Sequence, residues 1–252
     1  MIPQIAQRKI GNVTILDIKG SFSGSWALRG REKLKQALGT MDLGKVIFNL
    51  RETTGLDTLG AKCLLESLPV TKEAGILYGN VEIMEFVNRF PESERFRRLH
   101  SEEEIVSAFG QDLVVQTGPN EQRTSDRIET AFPLKFDYEE DGEKKQFKAI
   151  VTNLSEGGLF AEYIDLKVAE ESLNHLDPSD LKLLYLKLLL PNRKPIFAEG
   201  KVVYRKLDGE QVGIGIQFFE VGSREQKEIG HFLKLHGFEK KMLNQSQERM
   251  EN

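Results

Sequence analysis

Cysteine is nearly absent from this chain of 252 residues. Cys63 stands alone, which excludes an internal disulfide framework and fits a reducing cytoplasm. It lies in the helix-like apolar stretch Ala61-Lys62-Cys63-Leu64-Leu65 and is expected to be a packing residue rather than a nucleophile. Histidine is scarce too. His100, His175, His231 and His236 are scattered, the last two are not spaced to share a helix face, and no carboxylate pair completes a metal site. No apolar run reaches the roughly 18 residues of a membrane-spanning helix, and residues 1–10 carry no apolar segment of a secretory signal. The net charge of −4 lacks the broad basic field that general nucleic-acid binding requires. Gly-x-Ser-x-Gly, P-loop and His-Glu-x-x-His patterns are all missing, so the sequence offers no catalytic constellation and no cofactor motif.

What is present divides the chain in two, since its length is enough for two ordinary domains. In the first half, strand-like segments (13–18 closed by Gly20, 45–50 and 76–79) alternate with helical ones (from a Ser25 cap through Leu38, 58–68 stopped before Pro69, 81–87, and 101–109). Ser101-Glu102-Glu103-Glu104 reads as a capping box. Alternation of this kind predicts a sheet covered by helices. The polar stretch Gln116-Thr117-Gly118-Pro119-Asn120-Glu121-Gln122 reads as a linker.

The second half changes class. Strand-like segments at 131–138, 147–152, 158–163, 182–190, 196–205 and 211–219 are separated by turns at Glu140-Asp141-Gly142-Glu143, Pro191-Asn192-Arg193 and Asp208-Gly209. Six short strands predict a small closed barrel, flanked by a helix over 223–236. Residues after Met242 read as a polar, frayed tail.

The chemistry-bearing residues lie at the entry to this barrel. Arg123 and Arg127 sit in a polar segment expected to precede its first strand. Each guanidinium can grip a phosphate bidentately and lie flat on a purine face, which a lysine cannot do. Alone, they read as surface residues paired with Asp126 and Glu129. One strand pair later come Asn153-Leu154-Ser155-Glu156-Gly157-Gly158. Here short polar side chains can meet a base edge, while glycines permit positive φ and close backbone approach. Alone, this is an ordinary turn.

Arg-x-x-x-Arg followed by Asn-x-Ser-x-x-Gly resembles the pattern of the PilZ domain, the bacterial cyclic di-GMP receptor. Arg123, Arg127, Asn153, Ser155 and Gly158 match at every defined position, and Val212-Gly213-Ile214-Gly215-Ile216-Gln217-Phe218 resembles the family's closing strand. The resemblance implies that the arginines hold the phosphodiester and guanine faces while Asn153 and Ser155 read guanine. In the first half, Gly11-Asn12-Val13-Thr14-Ile15-Leu16-Asp17-Ile18-Lys19-Gly20, Lys45-Val46-Ile47-Phe48-Asn49-Leu50 and Gly55-Leu56-Asp57-Thr58-Leu59-Gly60 resemble the STAS domain of anti-sigma factor antagonists. That family places a phosphorylatable hydroxyl at the corresponding helix start. Thr58 is the candidate here, although Leu59 replaces the family's second hydroxyl residue.

The expectation is therefore a two-domain, non-enzymatic, cytoplasmic cyclic di-GMP effector. A STAS-like α/β domain spans 1–110, a linker 111–122, a PilZ-like six-stranded antiparallel barrel 123–240 and a polar tail 241–252. The STAS-like domain would bind a protein partner or self-associate as a homodimer, without nucleic-acid or membrane insertion. Two alternatives stand beside it: an anti-sigma antagonist switched at Thr58, and a scaffold of a motility or envelope machine whose barrel binds no nucleotide.

Overall fold

In the computed structural model, which describes residues 3–39, 44–68, 73–114, 127–140, 142–163, 183–208 and 211–250, a mixed sheet precedes a closed barrel. The 116–122 linker motif, Arg123, His175 and Gly209 lie outside the described residues. β1 (Gln4–Ile10) pairs antiparallel with β2 (Val13–Phe22), and β3 (Lys45–Asn49), β5 (Ala74–Leu77) and β6 (Phe96–Leu99) continue the sheet in parallel. β4 (Thr53–Leu56) pairs with the far end of β2. Gly20 does not close β2. It adopts φ 87°, and the register slips between Gly20 and Ser21, so the strand turns from β3 toward β4 and runs on to Phe22.

The helices are α1 (Ser25–Gly39), α2 (Thr58–Leu65), α3 (Val81–Val87) and α4 (Glu102–Phe109). Ser25 is the first residue of α1 rather than its cap. Ser101 caps α4 by accepting the Glu104 N–H, while the Glu104 carboxylate accepts from His100 N–H at 2.6 Å, one residue earlier than a reciprocal capping box would have it.

Period-two alternation assigns the strand side chains to two layers. Leu16, Ile18, Val46, Phe48 and Ile76 pack with Leu34, Cys63, Leu64 and Ile83 under α1, α2 and α3. Burial in this layer pushes the Cys63 thiol pKa up, against nucleophilic use. Val13, Ile15, Ile47 and Leu77 face the other way, toward Ile105 and Phe109 of α4.

The second half closes as expected. β7 (Arg127–Glu140), β8 (Glu143–Ser155), β9 (Gly158–Tyr163), β10 (Leu183–Leu188), β11 (Ile196–Asp208) and β12 (Gln211–Val221) form a barrel in the order β10-β11-β12-β9-β8-β7. Antiparallel pairing of β7 with β10 closes it, which removes the free edges of an open sheet. Phe132, Leu134, Phe136, Val151, Leu186, Ile214 and Ile216 fill the interior. α5 (Ser223–Met250) adds Ile229 and Phe232, the latter edge-on to Phe132 at 6.0 Å. The helix expected over 223–236 is thus continuous to Met250.

The barrel also covers the second layer of the N-terminal sheet. Ile150, wholly buried, points out of the barrel and joins the cluster around Ile15 and Phe109. Polar groups are buried beside it. Arg8 donates to both carboxylate oxygens of Asp17 at 2.6 and 2.8 Å, and Asn49 donates to the same carboxylate at 2.7 Å. Glu162 of β9 is 3% exposed, and burial pushes its carboxyl pKa up to about 7, against the opposing effects of a Thr152 hydrogen bond and the charges of Lys206 and Arg8. On the α4 side, buried Glu102 lies 2.7 Å from Arg51 and 3.9 Å from Lys148 of β8, an ion cluster that spans the two halves.

Candidate functional site

The ladder itself gathers the site. Arg127 on β7 stands opposite Ser155 on β8, and Ser155 stands opposite Gly158 on β9. Glu129 faces Asn153, which faces Phe160. Three residues separated by up to 31 positions in sequence thus lie side by side on adjacent strands. Arg127 is not part of a segment outside the sheet, as its polar neighbours suggested. It opens β7, because Ile128 packs on the barrel core and Thr130 is buried, with a register shift between Glu129 and Phe132 absorbing the irregularity.

The turn between β8 and β9 is held by its own polar groups. The Ser155 hydroxyl donates to the Gly158 carbonyl at 3.1 Å, and the Gly157 carbonyl accepts from Phe218 N–H at 2.9 Å, tying the turn to β12. Ser155 keeps lone pairs free to accept from a ligand donor. Gly158 is required for a steric reason and not for positive φ: a Cβ there would lie 2.3 Å from the Ile216 carbonyl oxygen.

Arg127, Asn153, Ser155 and Gly158 line one recess of about 220 Å³ on the outer barrel wall, with Tyr204 and Gln217. Arg127 is exposed and Asn153 half-buried, so a guanidinium and an amide reach the solvent side while the hydroxyl sits deeper. The recess is smaller than the roughly 300 Å³ and more that encloses a whole drug-sized ligand. Sequence reasoning missed its β11–β12 side, Val203, Tyr204 and Gln217. The available signal was an aromatic residue facing outward in a strand, but its nearness to Ser155 depends on barrel closure.

In the first half, Thr58 is exposed at the first position of α2. Asp57 caps that helix, accepting from Gly60 N–H at 2.8 Å and from Gly24 N–H, at the start of α1, at 2.7 Å. These bonds, the Gly60 one first, lower the Asp57 pKa below its ordinary value. Among the described residues, no group of three or more His, Cys, Asp or Glu side chains could hold a metal ion, and no helix is long and apolar enough to cross a membrane.

A closed barrel carries an arginine, an amide, a hydroxyl and a sterically required glycine around one outer recess, a candidate site for a ligand. Residues 121–235 match the family model of the PilZ domain. No curated protein matches the chain. Solved structures similar to parts of it include these three. The Bacillus subtilis inhibitor of motility (MotI/DgrA) is 14% identical over 49% of this chain and 54% of its own, with a TM-score of 0.34. The PilZ domain of YcgR from Escherichia coli, solved with c-di-GMP, is 11% identical over 50% of this chain and 98% of its own, at 0.35. The anti-sigma factor antagonist SpoIIAA in its unphosphorylated form is 14% identical over 42% of this chain and 94% of its own, at 0.32. The chain thus spans about half the length of the motility inhibitor it matches, and similarities this low carry no functional assignment.

Proposed function

We propose that this protein is a cyclic di-GMP effector whose PilZ domain binds the nucleotide through Arg123, Arg127, Asn153, Ser155 and Gly158. The observation that carries the reading is the direct cross-strand row Arg127–Ser155–Gly158 inside a PilZ domain, with Asn153 in the same recess. The ligand brings two phosphodiester charges and two guanine faces. Arg127 suits both, Asn153 offers donors and an acceptor to a base edge, and Gly158 lets the β8–β9 turn lie close against β12. The STAS-like domain, residues 1–110, serves as the protein-binding half of a cytoplasmic adaptor that performs no chemistry. The linker is 111–122, the barrel domain 123–240, and 241–252 the polar tail. Calorimetric titration of the full chain with cyclic di-GMP tests the reading. Wild type should bind, and the Arg123→Ala/Arg127→Ala double variant should not; equal affinities would show that the assigned site is wrong.

Control at Thr58 is a second reading, favoured by the exposure of that hydroxyl beside exposed Leu59. Asp57 already occupies the Gly60 and Gly24 N–H groups. A phosphate on Thr58 would therefore face an ionised carboxylate and project outward, changing the surface a partner meets. Mass spectrometry of native protein across growth states checks it, since Thr58 unmodified throughout would rule this control out.

A further inference from the structure

We propose that Tyr204 is the stacking wall of the nucleotide site, the aromatic face against which one guanine of the ligand packs. This deepens the cyclic di-GMP reading and rests on it.

Three observations converge on the ring. The first is a break in the β11–β12 ladder. Val202 pairs with Ile216, but Tyr204 pairs with Gly215, so the register slips by one residue and Val203 has no partner. A bulge of this kind turns the following side chain away from plain alternation. Val203 and Tyr204 consequently both stand on the outer wall, 45% and 43% exposed, and both line the recess that holds Arg127, Asn153 and Ser155. The open ring thus stands on the same wall as the polar groups of the recess.

The second is the support beneath the ring. The residue opposite Tyr204 is Gly215, and a Cβ there would lie 2.1 Å from a Tyr204 ring carbon. Glycine is the residue that lets the ring settle over β12. The same holds one pair along, where a Cβ at Gly213 would lie 2.6 Å from the Phe160 ring. Phe160 and Tyr204 are then nearly parallel, 10° apart with centroids 5.8 Å from each other. The two rings hold each other in one orientation, so Tyr204 offers a face fixed before any ligand arrives. Preorganisation of that kind reduces the ordering cost of binding.

The third is what the other residues cannot do. Asn153 and Ser155 can meet the edge of a base, and Arg127 can lay its guanidinium on one purine face, but none of the three gives an aromatic face for the other. Tyr204 supplies one, and base–aromatic stacking is of the size that single substitutions reveal.

The test uses the full chain, cyclic di-GMP and isothermal titration of wild type, Tyr204→Ala, Tyr204→Phe and Arg127→Ala. Tyr204→Ala should weaken binding about 5- to 100-fold, and Tyr204→Phe should stay within about 2-fold of wild type, because the ring and not the hydroxyl does the stacking. A spectroscopic readout separates stacking from support of the fold. Tyr204→Trp should lose fluorescence on ligand addition, against a background from Trp26 on α1, the chain's one native tryptophan. If wild type binds, Arg127→Ala binds poorly and Tyr204→Ala binds normally, the stacking wall is refuted while the site stands. If Tyr204→Phe is as weak as Tyr204→Ala, the hydroxyl acts and the proposal is also refuted. If wild type does not bind, both the site and the wall fail together.

Discussion

Glu162 makes the strongest quantitative prediction. It is a carboxyl buried between the barrel and the N-terminal sheet, with its pKa pushed up to about 7 from an ordinary 4.5. At about 1.4 kcal/mol per pH unit, that rise corresponds to about 3 kcal/mol of differential stability. The attraction of Lys206 and Arg8 and the Thr152 hydrogen bond are already contained in the value, so burial outweighs all three. The sign follows from proton binding. Between pH 4.5 and about 7 the folded chain holds a proton that the unfolded chain has released. This contribution to stability is therefore complete below 4.5 and lost as pH rises through about 7.

Glu162→Gln keeps the shape and a hydrogen-bonding side chain but cannot ionise. Relative to wild type it should be close to neutral at about pH 4.5, and more stable by about 3 kcal/mol at about pH 8. Urea unfolding of both proteins across that range, followed by far-UV circular dichroism, measures the difference directly, provided the denaturant slopes agree. A stability difference that does not change with pH would refute the reasoning, because it would mean that Glu162 ionises normally and water reaches it in the folded chain.

The other predictions concern the site and the contacts between the halves. Arg127→Ala alone should weaken cyclic di-GMP binding about 10- to 100-fold by titration, the effect of losing a charge-assisted contact of about 1.5–3 kcal/mol. Gly158→Ala forces a methyl group onto the Ile216 carbonyl and should cost about 1–3 kcal/mol in urea unfolding while impairing binding; normal stability and affinity would show that the turn can shift. Ile150→Ala empties a position buried outside the barrel, in the layer under α4. It should cost about 2–5 kcal/mol and, if the halves separate, raise the radius of gyration in small-angle scattering. Asp57→Ala should cost about 1 kcal/mol near neutral pH through loss of the α2 cap. Because the folded-state pKa of Asp57 is lowered, its contribution is present above the ordinary carboxylate pKa and lost as pH falls through the depressed value. The acid limb of wild type should therefore converge on that of the variant.

The sequence was most legible where local pattern and chemistry agree. β3, with Val46, Ile47 and Phe48 in succession, is buried on both faces and reads as a continuous apolar run. Two of the barrel turns are just as plain, since Asn192 and Gly142 take the positive φ that their residue types favour. β1 and β6 were missed because they lie at the edges of the sheet, where polar and charged residues interrupt the pattern: Gln4, Gln7, Arg8 and Lys9 in one, Arg97 and Arg98 in the other. Arg8 misleads further, because a charged residue that is 2% exposed is intelligible only beside Asp17 on the neighbouring strand. In the candidate site, the Asn-x-Ser-x-x-Gly signature announced itself, whereas Tyr204 did not. Its role depends on a bulge and on Gly215 across the ladder, both properties of paired strands rather than of any one segment.

The pairing also changes where communication between the halves is to be sought. The sequence directs attention to the linker, since Arg123 and Arg127 follow it directly. The barrel offers a second, continuous connection in β9. Gly158 at its start belongs to the recess, Phe160 braces Tyr204, and Glu162 is buried against the N-terminal sheet near Arg8. Gly158 and the side chains of Phe160 and Glu162 lie on the same outer face of one strand, because positions two apart share a side, and the whole distance is about 13 Å. Nearness alone does not make a switch, since a ligand shifts docking only by the difference in its affinity for the docked and undocked arrangements. What β9 supplies is one strand shared by the recess and the contact with the N-terminal sheet.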